Sequence, residues 1–464
     1  MKLSKALSAS LLALAAGCSM EPKYVAPTLP VPQSWPVGDA YLRQSEAALP
    51  SYAWRDVFGD PRLKAVIGQA LANNQDLRIA AANIEAVRAQ FKIQKAELLP
   101  SIDASASYQR ADKGVGAGDA LSVDAGVTGY ELDLFGRIRS LTGAAKDRYF
   151  ASEAAARATR LTLIADVADA WVAYASDQSL LDVAKNTAAS ASESLRLTKL
   201  RLDGGIAPRT DVRQAEIVLR TAEADVAAQT TAVAQDLNAL QLLVGAPVDP
   251  ANLAASIDEA GSRMVEVPAG VDSTILLRRP DVVEAEWQLR AANAEIGAAR
   301  AALFPKISLT GLLGFASNAL GALFTGGAFT WQAGASASYN IFSGGAGKAN
   351  VRLTEAQRDA ALATYKKAIQ SAFADVANAL ARRGTIDAQL QANAAGRAAA
   401  QDNLNLADMR YRGGIDSYLQ DLTARQALYS AERTLVATQQ LRAANLIAIY
   451  RALGGDASLS EPLP

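Results

Sequence analysis

The sequence predicts a mainly α-helical protein with a membrane β-barrel portion, built from two internal repeats. Three observations support this fold class: an apolar heptad pattern occurs twice, glycine and proline are absent from four long windows, and short segments between the helices alternate apolar and polar residues. Each repeat is therefore expected to supply long coiled-coil-like helices and two β-strands.

An apolar pattern in the first half of the chain recurs 205 residues later. The matched positions are Leu77, Ile84, Phe91 and Leu98 in the first copy and Val282, Leu289, Ile296 and Leu303 in the second. Each run ends at a proline, Pro100 or Pro305. Seven-residue apolar spacing predicts a helical seam of coiled-coil type. Burial in an ordinary bundle is the better explanation of one such helix alone, but two matched copies with companions that lack glycine and proline favour long packed helices.

Glycine and proline are missing from residues 144–203, 209–244, 348–383 and 415–453. These windows predict very long helices, because glycine and proline are the residues that most often end a helix. At about 1.5 Å per residue, the first window approaches roughly 90 Å. That length exceeds the diameter of a compact domain.

The composition excludes several classes of function. The chain has 46 Lys plus Arg against 47 Asp plus Glu, and this balance offers no electrostatic footprint for nucleic acid. It has no histidine, which excludes His-based acid/base catalysis, Ser-His or Cys-His nucleophiles and imidazole metal sites. The four methionines are scattered rather than clustered as soft metal ligands. We therefore expect no catalytic residue, metal site or cofactor.

The N-terminus has the pattern of a bacterial secretory signal. Two lysines precede an apolar stretch, residues 6–16, that is too short to span a bilayer. The tetrapeptide that ends at Cys18, the only cysteine, resembles a lipoprotein processing box, although the usual leucine stands one place early as Leu14. We predict that Cys18 is lipidated. An ordinary signal peptide with an incidental cysteine is the alternative.

Short segments between the helical windows change to a period of two residues. The cleanest alternation runs from Phe329 to Ile341, a second runs from Ile307 to Phe315, and the first half of the chain carries weaker counterparts. The predicted strands lie at about 100–110, 121–134, 305–316 and 329–342. One face of each suits lipid and the other water, as in a membrane β-strand. A soluble, half-buried hairpin is the alternative.

Four strands cannot close a barrel. An open sheet edge cannot lie in hydrocarbon, because its N–H and C=O groups would lack hydrogen-bond partners. If these strands span a membrane, the chain must therefore oligomerise. Three copies supply twelve strands, and their helices can continue the wall as a second tube. The predicted assembly is a trimeric channel.

Four stretches of the sequence carry a family resemblance. They are Pro22 to Pro27, Trp54 to Leu77, Leu277 to Glu286, and Ile296 to Pro305. The chain resembles the outer membrane factor family, the TolC-like channels of bacterial efflux pumps, in its OprM/NodT-type lipoprotein branch. Together with the repeat, the resemblance covers nearly the whole chain.

The resemblance implies a homotrimer with a twelve-stranded β-barrel in the outer membrane and a twelve-helix α-barrel in the periplasm. It also implies a periplasmic membrane-fusion adaptor and an inner-membrane pump of the resistance-nodulation-division type as partners. Drugs or other small molecules would pass through without chemical change, so the chain would be no enzyme. The alternative is a lipid-anchored periplasmic coiled-coil scaffold or adaptor without a pore, which would not need lipid-facing strands.

These observations divide the chain into five parts. They are a signal peptide at 1–17, a lipidated, proline-rich tether at 18–53, a first outer membrane efflux repeat at 54–260, a second repeat at 261–455, and a C-terminal tail at 456–464. The resemblance also implies an equatorial region along the helices. Interruptions are expected there, near Ser176-Asp177 and between Gly384 and Gly396, because glycine is costly inside a helix.

Two Gly-Gly-Ile sites predict the turns of helical hairpins. Their glycine pairs are Gly204-Gly205 and Gly413-Gly414, and glycine commonly follows the end of a helix. The candidate caps of the returning helices are Thr210 or Asp211 and Asp416 or Ser417. A purely structural role would explain both sites.

In the family that the chain resembles, the second turn forms the closed periplasmic end, where three subunits meet. Carried over by position, Tyr411, Asp416 and Leu419 are the candidates for this gate. A ring of three Asp416 carboxylates would favour cations. Thr423 stands where some members of that family carry another acidic gate residue. Because threonine has no carboxylate, the sequence does not support a second carboxylate ring.

The motif Arg278-Arg279-Pro280-Asp281 predicts the start of a helix. Proline suits the first helical turn, and an aspartate there interacts favourably with the helix dipole. A phosphate or lipid-headgroup site is the alternative interpretation.

Overall fold

The computed structural model describes residues 19–38, 40–41, 53–112, 117–266 and 273–454. Cys18, the predicted signal peptide and the predicted C-terminal tail lie outside these residues. The chain divides into two compact units. The strand unit comprises Met1–Thr28, Ala82–Ala154 and Val283–Lys367, and the helical unit comprises Leu29–Ala81, Ala155–Val282 and Ala368–Pro464.

Helices dominate the described residues. In chain order they are α1 (Trp54–Val57), α2 (Pro61–Asn73), α3 (Gln75–Ala96), α4 (Arg137–Asp203), α5 (Arg209–Val244), α6 (Ile257–Ser262), α7 (Pro280–Ala301), α8 (Ala346–Arg412) and α9 (Tyr418–Leu453). The strands are β1 (Asp103–Asp112), β2 (Ala117–Leu132), β3 (Lys306–Ser317) and β4 (Phe329–Ser338). None of the described helices combines the length and hydropathy that crossing a membrane requires.

The long helices occur in two pairs of equal length. Helices α4 and α8 have 67 residues each, and α5 and α9 have 36 each. Corresponding helices begin 209 residues apart in the sequence. They cover almost all of the four windows that contain neither glycine nor proline, although α4 also contains Gly143 and α8 also contains Gly347, Gly384 and Gly396. At about 1.5 Å per residue, a helix of this greater length extends roughly 100 Å.

The predicted interruptions of α4 and α8 are wrong. Both helices run without a break through Ser176-Asp177 and through the stretch from Gly384 to Gly396. A glycine costs only about 1 kcal/mol relative to alanine in a helix, and tertiary packing readily outweighs this loss. Gly384 also has a packing role within the helical unit, because a Cβ there would lie 2.9 Å from the carbonyl carbon of Tyr41.

The predicted helix start at Arg278-Arg279-Pro280-Asp281 is confirmed, since α7 begins at Pro280. The Arg279 guanidinium donates to the Asp281 carboxylate at 2.8 and 3.1 Å and to the carbonyl oxygen of Ala452 at 2.7 Å. Arg279 thus satisfies a carbonyl at the C-terminal end of α9, where the helix itself supplies no donor. The guanidinium N–H groups of Arg279 thus bind groups of the same chain, which favours the structural interpretation of this motif over a phosphate or lipid-headgroup site.

The seven-residue seam is buried in α7 and only partly buried in α3. Leu289 and Ile296 of α7 are 3% and 1% exposed. Ile84 and Phe91 of α3, at the matching positions, keep intermediate exposure. The repeated pattern therefore leaves part of the α3 seam open for further contacts.

Strands β1 to β4 form one antiparallel sheet in sequence order. Residues that face one another form rows across the sheet. One row contains Ala104, Ala125, Leu313 and Trp331, and the next contains Ser105, Asp124, Gly314 and Thr330. Because successive side chains of a strand point to opposite faces, one face of the sheet is largely apolar and the other largely polar.

The strand ends follow from their pairing. Strand β4 ends at Ser338, short of the predicted residue 342, because Ser338 pairs with Lys306, the first residue of β3. The residue before Lys306 is Pro305, which has no N–H to extend the ladder. Strand β2 begins at Ala117, earlier than the predicted 121, and it carries an irregularity between Val127 and Tyr130.

The N-terminal arm, residues 19–41, differs from a free tether. Its described residues contain neither helix nor strand, as the prediction of an extended segment requires. However, the arm is held by specific contacts. In the helical unit, the Ser273 hydroxyl donates to the carbonyl oxygen of Pro32 at 2.7 Å, and the Ser273 backbone N–H donates to that of Gln33 at 2.9 Å. Trp35 stacks on Phe373 with ring centroids 5.1 Å apart.

Candidate gate at the helix turns

Both glycine pairs directly follow the ends of long helices in the helical unit. Gly205 and Gly414 adopt φ angles of +70° and +73°, a left-handed conformation that only glycine enters at little cost. The turns close with the same hydrogen bonds, from Ile206 N to Arg201 O at 2.8 Å and from Ile415 N to Arg410 O at 2.9 Å. Each turn thereby satisfies carbonyls at the end of its helix.

The predicted side-chain caps are absent from the returning helices. Helix α5 has Pro208 at its N-cap, so Thr210 and Asp211 lie inside its first turn. Ser417 is the N-cap of α9, as predicted for one alternative, but its side chain makes no capping hydrogen bond. The other alternative, Asp416, is already bound by Arg410.

Asp416 and Arg410 form a two-pronged ion pair across the second turn. Nε and Nη2 of Arg410 donate to the two carboxylate oxygens at 2.6 and 3.0 Å. This pairing lowers the pKa of Asp416 below its usual value, so the carboxylate stays ionised at neutral pH. Any ring of three Asp416 side chains would therefore bring three guanidinium groups with it.

The other two gate candidates have different environments. Tyr411 is only 6% exposed, and its ring lies 5.4 Å from that of Tyr418 and 4.5 Å from the Arg201 guanidinium. Arg201 also donates to the carbonyl oxygen of Tyr411 at 2.6 Å, which ties the first turn to the second. Leu419, in contrast, is 55% exposed. Asp416 and Leu419 thus lie at the surface of the turn, while Tyr411 supports it from within.

Sequence reasoning missed a charged network beside these turns. Arg425 donates to Asp421 at 2.7 Å, to Asp408 at 3.2 Å and to the Ser190 hydroxyl at 2.5 Å. The Asp421 side chain is fully buried, and its Oδ1 atom has no hydrogen-bond partner within the described residues. Arg425 therefore joins α4, α8 and α9 through one guanidinium. The four-residue spacing of Asp421 and Arg425 was the available signal for their contact.

A cavity of about 560 Å³ lies beside this network. Its wall includes Arg425, Asp408 and Asp421 together with apolar side chains of α4 and α8.

Thr423 lies one turn beyond Leu419, and its hydroxyl donates to the Leu419 carbonyl oxygen at 2.8 Å. The acidic group of this segment is therefore the buried Asp421, two residues before Thr423, the position considered for a second acidic gate residue.

The comparisons with known proteins agree with this architecture. The sequence pattern of the family described as outer membrane efflux protein matches residues 66–246 and 272–455. The antibiotic efflux pump outer membrane protein ArpC of Pseudomonas putida is 42% identical over 463 residues, which span 98% of this chain and 95% of that protein.

Two solved structures are similar over almost their whole length. A membrane protein from Pseudomonas aeruginosa has a TM-score of 0.88 at 35% identity, covering 96% of this chain and 99% of that one. The open state of the MtrE outer membrane channel of Neisseria gonorrhoeae has a TM-score of 0.85 at 36% identity, covering 94% and 98%. On these matches, the chain belongs to the outer membrane efflux protein family.

Proposed function

We propose that three copies of this chain form a passive channel in the outer membrane, through which a pump assembly exports drugs or other small molecules. The observation that carries this proposal is the four-stranded sheet. One of its faces is largely apolar, and within the described residues its outer strands β1 and β4 each pair on one side only. Joining β4 of one copy to β1 of the next removes every open edge and gives a twelve-stranded barrel.

The proposed partners and location follow from family membership and from the N-terminus. ArpC is described as the outer membrane protein of an antibiotic efflux pump. By analogy, this chain would dock with a periplasmic membrane-fusion adaptor and an inner-membrane pump of the resistance-nodulation-division type. An acylated Cys18 would add a lipid anchor in the outer membrane. The helices would extend the channel into the periplasm as a twelve-helix barrel.

The proposed gate is the second helix turn. Leu419 presents the exposed side chain, Asp416 is half-buried in its ion pair with Arg410, and Tyr411 and Arg425 hold the turn against its neighbours. Binding of the adaptor or pump opens such a gate only if the partner binds the open state more tightly than the closed one.

The channel itself is tested with purified protein. The protein should migrate as a heat-modifiable trimer after extraction from outer membranes and should conduct ions in a planar lipid bilayer. Protein that stays monomeric in detergent and never conducts would contradict the proposal and would favour a scaffold without a pore.

We expect Asp416→Ala to increase single-channel conductance and to reduce the preference for cations. The change removes three carboxylates from a trimer and leaves three Arg410 guanidinium groups without this partner. The turn loses its cross-link, and the local charge becomes more positive. Conductance and reversal potential in a planar bilayer measure both effects. Asp203→Ala, which removes a carboxylate at the other turn, is the control, and an Asp416 variant indistinguishable from it would exclude Asp416 from the gate.

A further inference from the structure

The two hairpin connections of the sheet differ in charge. Both lie at the end of the sheet away from the helices, because the strands are antiparallel and α3 and α7 lead into β1 and β3. Next to the β1–β2 connection, Arg110 and Asp119 form an ion pair at 3.8 Å. The β3–β4 connection, in contrast, belongs to a stretch without any charged side chain, residues 307–347. We call residues 318–328 the uncharged loop.

The uncharged loop turns two large apolar side chains outwards. It contains one 3₁₀ turn, Leu320–Ala322. Leu320 and Phe324, four residues apart, are 72% and 70% exposed, whereas Leu323 between them is 3% exposed. The loop is therefore folded, with one leucine packed inside and two apolar side chains left on its surface. A single exposed apolar side chain is common, but a group that continues an apolar surface indicates a contact with a partner or a membrane.

Phe324 joins the loop to the apolar face of the sheet. Its ring lies edge-on to that of Phe315, with centroids 5.7 Å apart, and Phe315 contacts Phe329 in the same way at 5.9 Å. Phe315 and Phe329 are paired residues of β3 and β4. They lie two positions from Leu313 and Trp331 and so share the apolar face with them. The apolar surface thus continues from the strands onto the loop.

The backbone of the loop binds its own polar groups. The Ser317 hydroxyl accepts from Ala319 N at 3.2 Å, and the Thr325 hydroxyl donates to Ala322 O at 2.8 Å. Thr325 N donates to the same carbonyl oxygen at 3.2 Å, and Ala328 N donates to Thr325 O at 3.2 Å. Polar groups that are already hydrogen-bonded lose less on leaving water, so these bonds reduce the cost of moving the loop into an apolar environment.

The charges of the neighbouring hairpin lie farther from the helices than Phe324 does. Phe315 aligns with Val123 of β2, and Asp119 lies four residues beyond Val123 towards the end of the sheet. Four residues of a strand extend roughly 13 Å. Because the Phe324 ring contacts that of Phe315, it lies nearer the middle of the sheet than the ion pair of Asp119 and Arg110.

From this arrangement we propose that the uncharged loop is a lipid-contact site, in which Leu320 and Phe324 insert between acyl chains in the outer half of the bilayer. The loop then lies over the outside of the barrel wall and does not cover the pore. This inference rests on the proposed function, because it takes the apolar face of the sheet as the lipid-facing wall. It extends the contact with lipid from the strands to a loop.

A fluorescent label at Phe324 tests the inference. Phe324→Cys is labelled with a nitrobenzoxadiazole dye and reconstituted as the full-length trimer in phosphatidylcholine vesicles. One quencher is phosphatidylcholine with a nitroxide on an acyl chain, and the other is iodide, present on both sides of the membrane. The unaltered protein, whose only cysteine is Cys18, gives the background labelling. Leu320→Cys is the second variant if Phe324→Cys does not yield trimers.

Two positions in the sheet supply the references. Leu313→Cys reports the apolar face, where Leu313 is 60% exposed. Ala120→Cys reports the polar face, because Ala120 is exposed and lies two and four positions from Ser122 and Asp124. We expect the nitroxide lipid to quench the Phe324 label as strongly as the Leu313 label and about threefold more than the Ala120 label, since an inserted side chain lies among acyl chains. Iodide should quench in the reverse order.

The references separate two kinds of failure. If the loop labels follow the Ala120 label while the Leu313 label is quenched by lipid, the loop inference is wrong and the proposed barrel stands. If the Leu313 label also escapes the lipid quencher, the proposed barrel fails together with the inference. Single-channel conductance gives an independent readout. Phe324→Ser should conduct like the unaltered protein, and a higher conductance would show that the loop covers the pore and would overturn the inference.

Discussion

An Ala333→Arg variant is expected to lose the trimer from the outer membrane, whereas Gln332→Arg is expected to keep it. The two residues are neighbours in β4 and point to opposite faces of the sheet. Ala333 aligns with Gly311 and Val127, which places it on the apolar face near the middle of the strand. An arginine facing lipid near the bilayer midplane costs about 2–4 kcal/mol, and a trimer carries three.

Gln332 lies one residue away on the other face, which the proposed barrel would turn towards its lumen. A charge at a lumen position changes selectivity rather than stability. The measurement is the amount of heat-modifiable trimer extracted from outer membranes at equal expression. Equal amounts of trimer from both variants would show that the apolar face does not contact lipid, and equal loss would show that the two faces do not differ as proposed.

The second large effect is expected from Arg425→Ala, which should destabilise the turn end of the helical unit. Asp421 has no exposed side-chain surface, and Arg425 is the partner of its carboxylate at 2.7 Å. Removing one member of a buried ion pair typically costs about 3–5 kcal/mol, since the other charge remains buried and unpaired. Asp408 and Ser190 lose the same guanidinium. We therefore expect a lower unfolding temperature and a channel that opens more often in a planar bilayer.

A surface ion pair supplies the matched control. Arg213 pairs with Glu216 at 2.5 Å, but their side chains are 58% and 33% exposed. Arg213→Ala should leave the unfolding temperature nearly unchanged, because an exposed ion pair is screened by solvent. A double variant, Asp421→Leu with Arg425→Leu, should recover much of the lost stability, because it leaves no unpaired Asp421 charge. If Arg425→Ala and Arg213→Ala lowered the unfolding temperature equally, the buried network would have no special role in holding the turn.

Much of the helical architecture followed from the positions of glycine and proline. The turn after Asp203 and the turn after Arg412 coincide with the two Gly-Gly-Ile sites, because a helix end needs a residue that tolerates a left-handed backbone. The failed predictions concerned Ser176-Asp177 inside α4 and the stretch from Gly384 to Gly396 inside α8. A local propensity of about 1 kcal/mol did not decide the outcome there, since tertiary contacts along the helix outweighed it.

The gate candidates illustrate a different limit. Chain position placed Tyr411, Asp416 and Leu419 at one turn, and the structure keeps them there. Their environments did not follow from position, because the burial of Tyr411 depends on Tyr418 and Arg201. The pairing of Asp416 with Arg410 also replaced the cap that the sequence suggested for Asp416. Their role in gating stays a prediction.

The sequence by itself determined where the long helices and the four strands form and which face of each strand is apolar, since these features repeat over a few residues. Only the tertiary structure decided that Asn293 holds Pro22 and that Arg425 reaches Ser190, contacts between residues 271 and 235 positions apart. The physical reason is that a hydrogen bond between distant segments leaves no periodic trace in either segment. It exists only after folding has brought donor and acceptor within about 3 Å of each other.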